Sequence, residues 1–349
     1  EAGIFAIQNG HTKYTPGGGT FDLKQAITTK LSRDNNLNFD LNQIVVSSGG
    51  KHSLYNACQA LFEKGDEVII FTPYWVSFPD FVSVTGAKPI FVETDSQKQN
   101  EPDFTDLEKK INKNTKGIII NSPSNPTGGV WSDEAILQLL NFLKSYKDIW
   151  IFSDECYEQL TYDTNFKSIA SFDRSNNRIV TFQSCSKTYA MTGWRIGYIA
   201  GHKELVKAIA KLQGQSTSCP NSIAQYAAIE ALAGNQSCVM QMRNTFKERR
   251  DLILSKLSLI DQVRCEKPNG AFYVFPDFSK YLGMKDINNN TIKSSFDLSL
   301  YILETTGVVT VAGDSFGAPG HIRFSYATSN EIITKAVSLV NSTIKKLGF

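Results

Sequence analysis

What most constrains this chain is a series of short, almost wholly apolar segments set between amphipathic stretches. "DEVIIF" (66–71), "KPIFVE" (88–93), "KGIIIN" (116–121), "IWIFSDE" (149–155) and "RIVTFQS" (178–184) are strand candidates, most of them nearly continuous in apolar residues. That is how strands buried on both faces read. Between them, the stretch from Leu54 to Phe62 puts Leu54, Cys58, Leu61 and Phe62 on one helical face and stops at Gly65; Asp133 to Tyr146 is a second helix candidate. Strand and helix alternating in this way predict an α/β domain with a mostly parallel sheet.

Further along, the pattern changes. Ser222 to Leu259 reads as long helix broken near Gly234-Asn235, and after it come "GAFYVFPDF" (270–278), "GVVTVAG" (307–313) and "HIRFSYA" (321–327) as strands among helices at 295–305 and 330–346. A smaller α+β domain is expected from about residue 256, which divides the chain into 1–255 and 256–349. The length of 349 residues suits two such domains. "KDINNNTIK" (285–293) is a surface loop by composition.

Composition narrows the function. Lys and Arg number 36 against 34 Asp and Glu, a net charge of +2 with no charged tail, so neither nucleic acid nor a membrane surface is expected as partner. No apolar run approaches the ~18 residues that span a bilayer. Six cysteines without CxxC spacing read as reduced thiols of a cytoplasmic protein. Four isolated histidines without an HExxH pair leave no metal site to expect. The chain starts at Glu1, nothing before Thr12 resembles a signal peptide, and it is expected to begin inside a longer protein.

In parallel α/β sheets, ligands bind beyond the carboxyl ends of the strands, and here those ends carry unusual residues. "SSGGKH" (47–52) precedes a helix; its glycines allow backbone N–H groups to close on an anion, or simply make a strand–helix turn. It lacks the spacing of a Walker A loop or of GxGxxG. "NSPSNPTGG" (121–129) is a heavily punctuated loop able to hold Asn125 in one direction, and "SDECY" (153–157) puts Asp154 at the end of a very apolar strand with Tyr157 three residues on. A buried carboxylate there is paired, functional or a helix cap. "SCSKTYAMTGWRIGY" (184–198) sets Lys187 between hydroxyls, with Arg195 eight residues later.

Taken together, an aspartate and a Schiff-base lysine at the ends of separate strands match what pyridoxal phosphate requires. The lysine amine condenses with the aldehyde, and the carboxylate keeps the pyridine nitrogen protonated. Gly50, Ser184, Ser186 and Arg195 suit the phosphate.

At this point the sequence resembles the class I aminotransferases, fold type I pyridoxal-phosphate enzymes, through "NSPSNPTG", "SDECY", "SCSKTYAMTGWRIGY" and "RFSYATS" in the family's order. "SSGGK", "PYWVSFP" and "RFSYATS" are similar to the bacterial and plastid aspartate aminotransferases, some of which also use prephenate. The resemblance runs from "TKYTP" (12–16) to the C-terminus, and it implies a large domain with a seven-stranded sheet sandwiched by helices, plus a small domain. It implies Lys187 as the lysine bound to the cofactor, Asp154 as the partner of the pyridine nitrogen, and Tyr157 and Asn125 on the ring's phenolic oxygen. Trp75 would stack on the ring. Gly50, Lys51, Ser184, Ser186 and Arg195 would hold the phosphate, and Tyr14 would reach the phosphate of a second subunit in a homodimer. Arg323 would grip the substrate α-carboxylate, with Asn125 and Trp75 beside the substrate and Lys51 at its distal carboxylate.

The implied reaction is ping-pong transfer of the amino group of aspartate or glutamate to a 2-oxo acid such as 2-oxoglutarate. The family's N-terminal segment is missing here, and Cys156 stands where an aliphatic residue is more usual and reads as packing. An aromatic aminotransferase or a β-lyase on the same scaffold is the nearest alternative. A non-enzymatic ligand-binding relative would need a lost lysine or an added DNA-binding region. A Rossmann dehydrogenase would need the absent GxGxxG.

Overall fold

In chain order the strands are β1 (Ile44–Ser47), β2 (Glu67–Phe71), β3 (Lys88–Val92), β4 (Thr94–Asp95), β5 (Glu101–Pro102), β6 (Thr115–Asn121), β7 (Trp150–Asp154), β8 (Ile179–Ser184), β9 (Gly197–Ala200), β10 (Tyr273–Val274), β11 (Val311–Ala312) and β12 (Ile322–Ser325). The structure, a computed structural model, describes residues 1–348, so the last residue of the small domain expected over 256–349 lies outside them. Seven strands form one sheet in the order β1-β9-β8-β7-β6-β2-β3. The pairs β2/β3, β2/β6, β6/β7 and β7/β8 are parallel, and only β9 runs against its neighbours. The expected α/β architecture with its seven-stranded sheet is therefore present.

The apolar runs have the two-sided burial that their composition demands. Ile118, Ile120, Ile151 and Ile179 join one core, against Leu23, Ile27 and Leu31 of the helix Phe21–Asn35. The alternate residues Ile119, Phe152, Val180 and Phe182 join another, against Leu54, Ala57 and Cys58 of the helix Gly50–Leu61. Side chains alternate faces along a strand, so consecutive residues at each strand end emerge on opposite sides of the sheet. Function turns on that alternation.

β1 and β9 went unrecognised in the sequence because each is four residues long. In the C-terminal part, β10, β12 and β11 form a small antiparallel sheet. Its strands are shorter than the apolar runs at 270–278 and 307–313 suggest. Ala271 adopts φ +57° and Pro276 lacks a donor, so the strand is confined to Tyr273 and Val274, with Gly270 and Asp277 making isolated bridges. A third apolar cluster gathers Phe246, Ile253 and Leu257 of the helix Ser237–Leu257, Val274, Phe324 and Tyr326, with Tyr157, Leu160 and Tyr162 from the segment after β7. That segment ties the small sheet to the strand end that carries Asp154.

Candidate active site

A cavity of about 330 Å3 opens where β6, β7 and β8 end, between the two sheets, within the size range of small-molecule sites. Every site residue named from the sequence lines it except Tyr14, whose side chain is 89% exposed elsewhere on the surface.

Asp154 ends β7 on the face of Phe152, is buried, and accepts a hydrogen bond from the Cys156 amide at 3.2 Å. Among the described residues it forms no salt bridge. Burial pushes its carboxyl up to about 6 against the pull of the Cys156 hydrogen bonds and of Lys187. Lys187 lies in the short helix Cys185–Thr188, which Ser184 caps by accepting from the Ser186 amide at 3.2 Å. No hydrogen-bond partner to its amine is present among the described residues; Nζ stands 5.5 Å from the Phe272 ring and 5.9 Å from the Tyr157 ring. Burial first, then the positive charges of Arg323 and Arg195, lower its pKa. A half-buried, unpaired and depressed amine is the form of lysine suited to nucleophilic and base chemistry.

One end of the cavity is built for an anion. The helix Gly50–Leu61 begins at Gly49, whose φ of +92° is a left-handed conformation. A Cβ there would stand 2.0 Å from Arg195 Nη2. Arg195 itself donates to the carbonyls of Thr192 at 2.7 Å and Ser48 at 3.3 Å. Free helix N–H groups, two buried serine hydroxyls and an arginine converge in that corner, as a phosphate requires.

Opposite it, the loop after β6 folds back on itself. Asn125 N donates to Asn121 Oδ1 at 2.7 Å, and Gly128 N to the Ser124 carbonyl at 2.9 Å. Gly128 has φ +71°, and a Cβ there would strike Pro268 at 2.5 Å. The punctuation in "NSPSNPTGG" thus serves a tight turn pressed against a second loop. Asn125 Oδ1 accepts from Arg323 Nη1 at 2.7 Å. The Arg323 guanidinium carbon lies 4.5 Å from the Tyr273 ring and 5.0 Å from that of Phe316. Lys51 Nζ stands 4.9 Å from the Trp75 ring.

Leu54, Asn121, Thr192 and Tyr273 also line the cavity without having been singled out, as does Cys156, expected only as packing. Asn121 was legible as the last residue of a strand whose neighbours end in site residues. Tyr273 carried no such mark.

Pyridoxal phosphate fits this donor set: a buried carboxylate lacking a cation, an unpaired amine and an anion corner meet in one cavity. They define an enzyme that works with that cofactor. Residues 1–340 match the aminotransferase class I and II family, and the chain belongs to it. The chain is 43% identical over 346 residues to the probable aspartate/prephenate aminotransferase of Rickettsia conorii, covering 99% of this chain and 86% of that one. The crystal structure of the Rhizobium meliloti aspartate aminotransferase superposes with a TM-score of 0.95 at 39% identity, over 99% of this chain and 87% of the other. The aspartate aminotransferase of Thermus thermophilus, solved with maleate, gives 0.90 at 36% identity, over 98% and 86%. The protein is a pyridoxal-phosphate-dependent transaminase.

Proposed function

We propose that the protein moves the amino group of L-aspartate or glutamate to a 2-oxo acid such as 2-oxoglutarate, and that prephenate is a further acceptor. The observation that carries the substrate class is that two cations outside the anion corner, Arg323 and Lys51, line the same cavity as Lys187. A dicarboxylic substrate has one carboxylate for each, and prephenate also carries two. The names of the relatives support the assignment, as does maleate, a dicarboxylate, in the Thermus structure.

Pyridoxal phosphate, when bound, supplies an aldehyde carbon for the amino group and a protonated ring that takes up electron density from the substrate Cα. Asp154 holds the proton on the ring nitrogen. Ser184, Ser186, Arg195 and the backbone at Gly50 and Lys51 hold the phosphate, and Trp75 covers the ring. Tyr157 and the Asn125 amide donate to its phenolic oxygen. Arg323 takes the substrate α-carboxylate through its planar fork, kept in place by Asn125 and by two aromatic faces. Lys187 would hold the cofactor through its amine and would move the proton at the substrate Cα, a task for which burial, by lowering its pKa, favours the neutral amine.

In this reading the division near residue 256 separates a cofactor-binding domain from a smaller one; the third apolar cluster draws mainly on residues beyond it, joined from before it by Phe246, Ile253, Tyr157, Leu160 and Tyr162. The functional unit is a homodimer in which Tyr14 reaches the phosphate corner of the partner. Supporting that, Tyr14 and the neighbouring Ile4, Phe5 and Ile7 expose more than half their surfaces. Six free cysteines agree with a cytoplasmic setting.

The test is a half-reaction. L-Aspartate is added to the loaded protein with no oxo acid present, and the cofactor's absorbance is followed. Conversion to the amine form of the cofactor is expected. A protein that ignores aspartate but responds to phenylalanine keeps the reaction and loses the substrate.

A further inference from the structure

Tyr273 touches two residues to which the proposed function gives separate tasks. It lies in β10 opposite Ser325 of β12, so Arg323, two residues back along β12, is its diagonal neighbour on the same face. Diagonal pairs stand within reach of aromatic and long side chains, and the guanidinium of Arg323 stacks on the Tyr273 ring at 4.5 Å. The far end of the same side chain meets Tyr157: the two hydroxyls are 3.0 Å apart, and the rings are edge-to-face at 5.9 Å. Tyr273 is 6% exposed and Tyr157 5%.

Two phenols that bond only to each other leave one proton over. Neither hydroxyl has a second partner among the described residues. Burial raises the pKa of both, Tyr157 well above the ordinary value, so both stay protonated. A hydroxyl has one proton to give. If Tyr157 gave its proton to Tyr273, it would have none for a ligand in the cavity. With the bond in the other sense, Tyr157 accepts from Tyr273 and keeps its own O–H for the cavity.

We infer that Tyr273 is a positioning residue: its hydroxyl donates to Tyr157 and thereby directs the Tyr157 proton at the cofactor's phenolic oxygen, while its ring holds Arg323 at the substrate carboxylate. One small-domain side chain thus ties the carboxylate grip to the cofactor's proton balance. The inference rests on the roles given above to Tyr157 and Arg323.

The test is the pH midpoint of the bound cofactor's absorbance change, measured in wild type, Tyr273→Phe, Tyr157→Phe and the double variant, with thermal midpoints of the cofactor-free proteins recorded alongside. A donor to the phenolic oxygen favours its deprotonated form, so Tyr157→Phe raises the midpoint. Tyr273→Phe keeps the ring on Arg323 and loses the directing bond. It should raise the midpoint by about half to one unit, the size of one hydrogen bond, with the KM for the amino acid little changed. In the Tyr157→Phe background it should add nothing, because it acts through Tyr157. Tyr273→Leu, which also removes the stacking face, should raise KM several-fold.

If Tyr157→Phe moves the midpoint and Tyr273→Phe does not, the inference is overturned and the site reading stands. The same shift in both backgrounds would mean that Tyr273 acts without Tyr157, which also overturns it. If neither variant moves the midpoint, the role given to Tyr157 falls first and the inference with it. A loss of thermal stability without a spectral shift marks Tyr273 as packing.

Discussion

Lys30 and Lys187 sit at the same end of the sheet, on opposite faces, and the fold treats them in opposite ways. Lys30, 2% exposed on the helix Phe21–Asn35, is saturated. Its amine donates to Asn35 Oδ1 and Gln183 Oε1 at 2.8 Å each, and to Glu158. Gln183 in turn donates to Glu158 at 3.0 Å and to Glu155 at 3.1 Å; Glu155 also accepts from Ser153 and Ser168, and Tyr198 donates to Gln183 at 2.9 Å. Lys187, one turn past the same strand β8, faces a cavity with no partner. Residues adjacent in sequence divide between the two: Asp154 and Ser184 face the cavity, Glu155 and Gln183 the closed network.

What separates the two regions is satisfaction, since both hold a lysine and carboxylates out of water. In the network Lys30 is paired with Glu158, while Glu155, pushed up to about 7 by burial and by Glu158, is held by hydrogen bonds from Ser153, Ser168 and Gln183, and the result braces the ends of β7 and β8. In the cavity a carboxylate and an amine are held apart and unpaired, at a cost to the folded state. A protein keeps such groups where a ligand completes them.

Variants on the two sides should fail differently. The largest effect is expected from Lys187→Ala: the rate of amino transfer should drop by at least about 10³-fold, with the thermal midpoint of the cofactor-free protein unchanged or raised, measured by stopped flow and by melting. Lys30→Met should do the reverse. It strands Glu158 in the interior and should cost roughly 3–5 kcal/mol of stability in denaturant titrations, while the protein that remains folded still turns over. If the Lys30 variant were stable and inactive, the contrast would collapse.

Asp154→Asn gives a smaller effect, and one that depends on pH. The folded carboxyl titrates at about 6 against an ordinary 3.8, so the folded state binds this proton more tightly than the unfolded chain. The stability this group contributes is full below pH ~4 and is lost as pH rises through 6. The cofactor-free Asn variant should therefore be the more stable protein above pH 6, by at most about 3 kcal/mol. That advantage should shrink as pH falls from 6 towards 4, and amino transfer should be severely reduced at any pH. A stability difference independent of pH would mean that Asp154 is not the strained group described here. Smallest is Lys51→Ala. This side chain is exposed, and its loss should weaken dicarboxylic donors by up to about fivefold in kcat/KM while leaving phenylalanine nearly unaffected; equal losses would remove it from the distal carboxylate.

Most of the cavity side of this comparison could be read in the chain, and little of the network side. Asp154, Ser184 and Lys187 follow apolar runs whose strand character is unmistakable, and polar residues at such positions stand out. "NSPSNPTGG" announced a constrained loop through its prolines and glycines. Lys30, by contrast, lies among ordinary helix residues 128 positions before Glu158, and nothing local marks it as buried. Glu155 and Glu158 were passed over beside Asp154 because alternation decides which face each meets, and the position of the turn after β7 is a tertiary fact. Tyr273 was hidden for a similar reason. Its role depends on the register of two very short strands, which no periodicity over two residues can reveal. Tyr14 stands apart: it was named from resemblance, and within one subunit it touches no part of the cavity.

The most direct test of the account is to load the protein with pyridoxal phosphate, reduce it with borohydride so that the cofactor is fixed to whatever amine holds it, and locate the label by mass spectrometry of the digest. A single modified peptide is expected, carrying the label on Lys187, with Lys30 and Lys51 unmodified. A label on either of those lysines, or none at all, would contradict it.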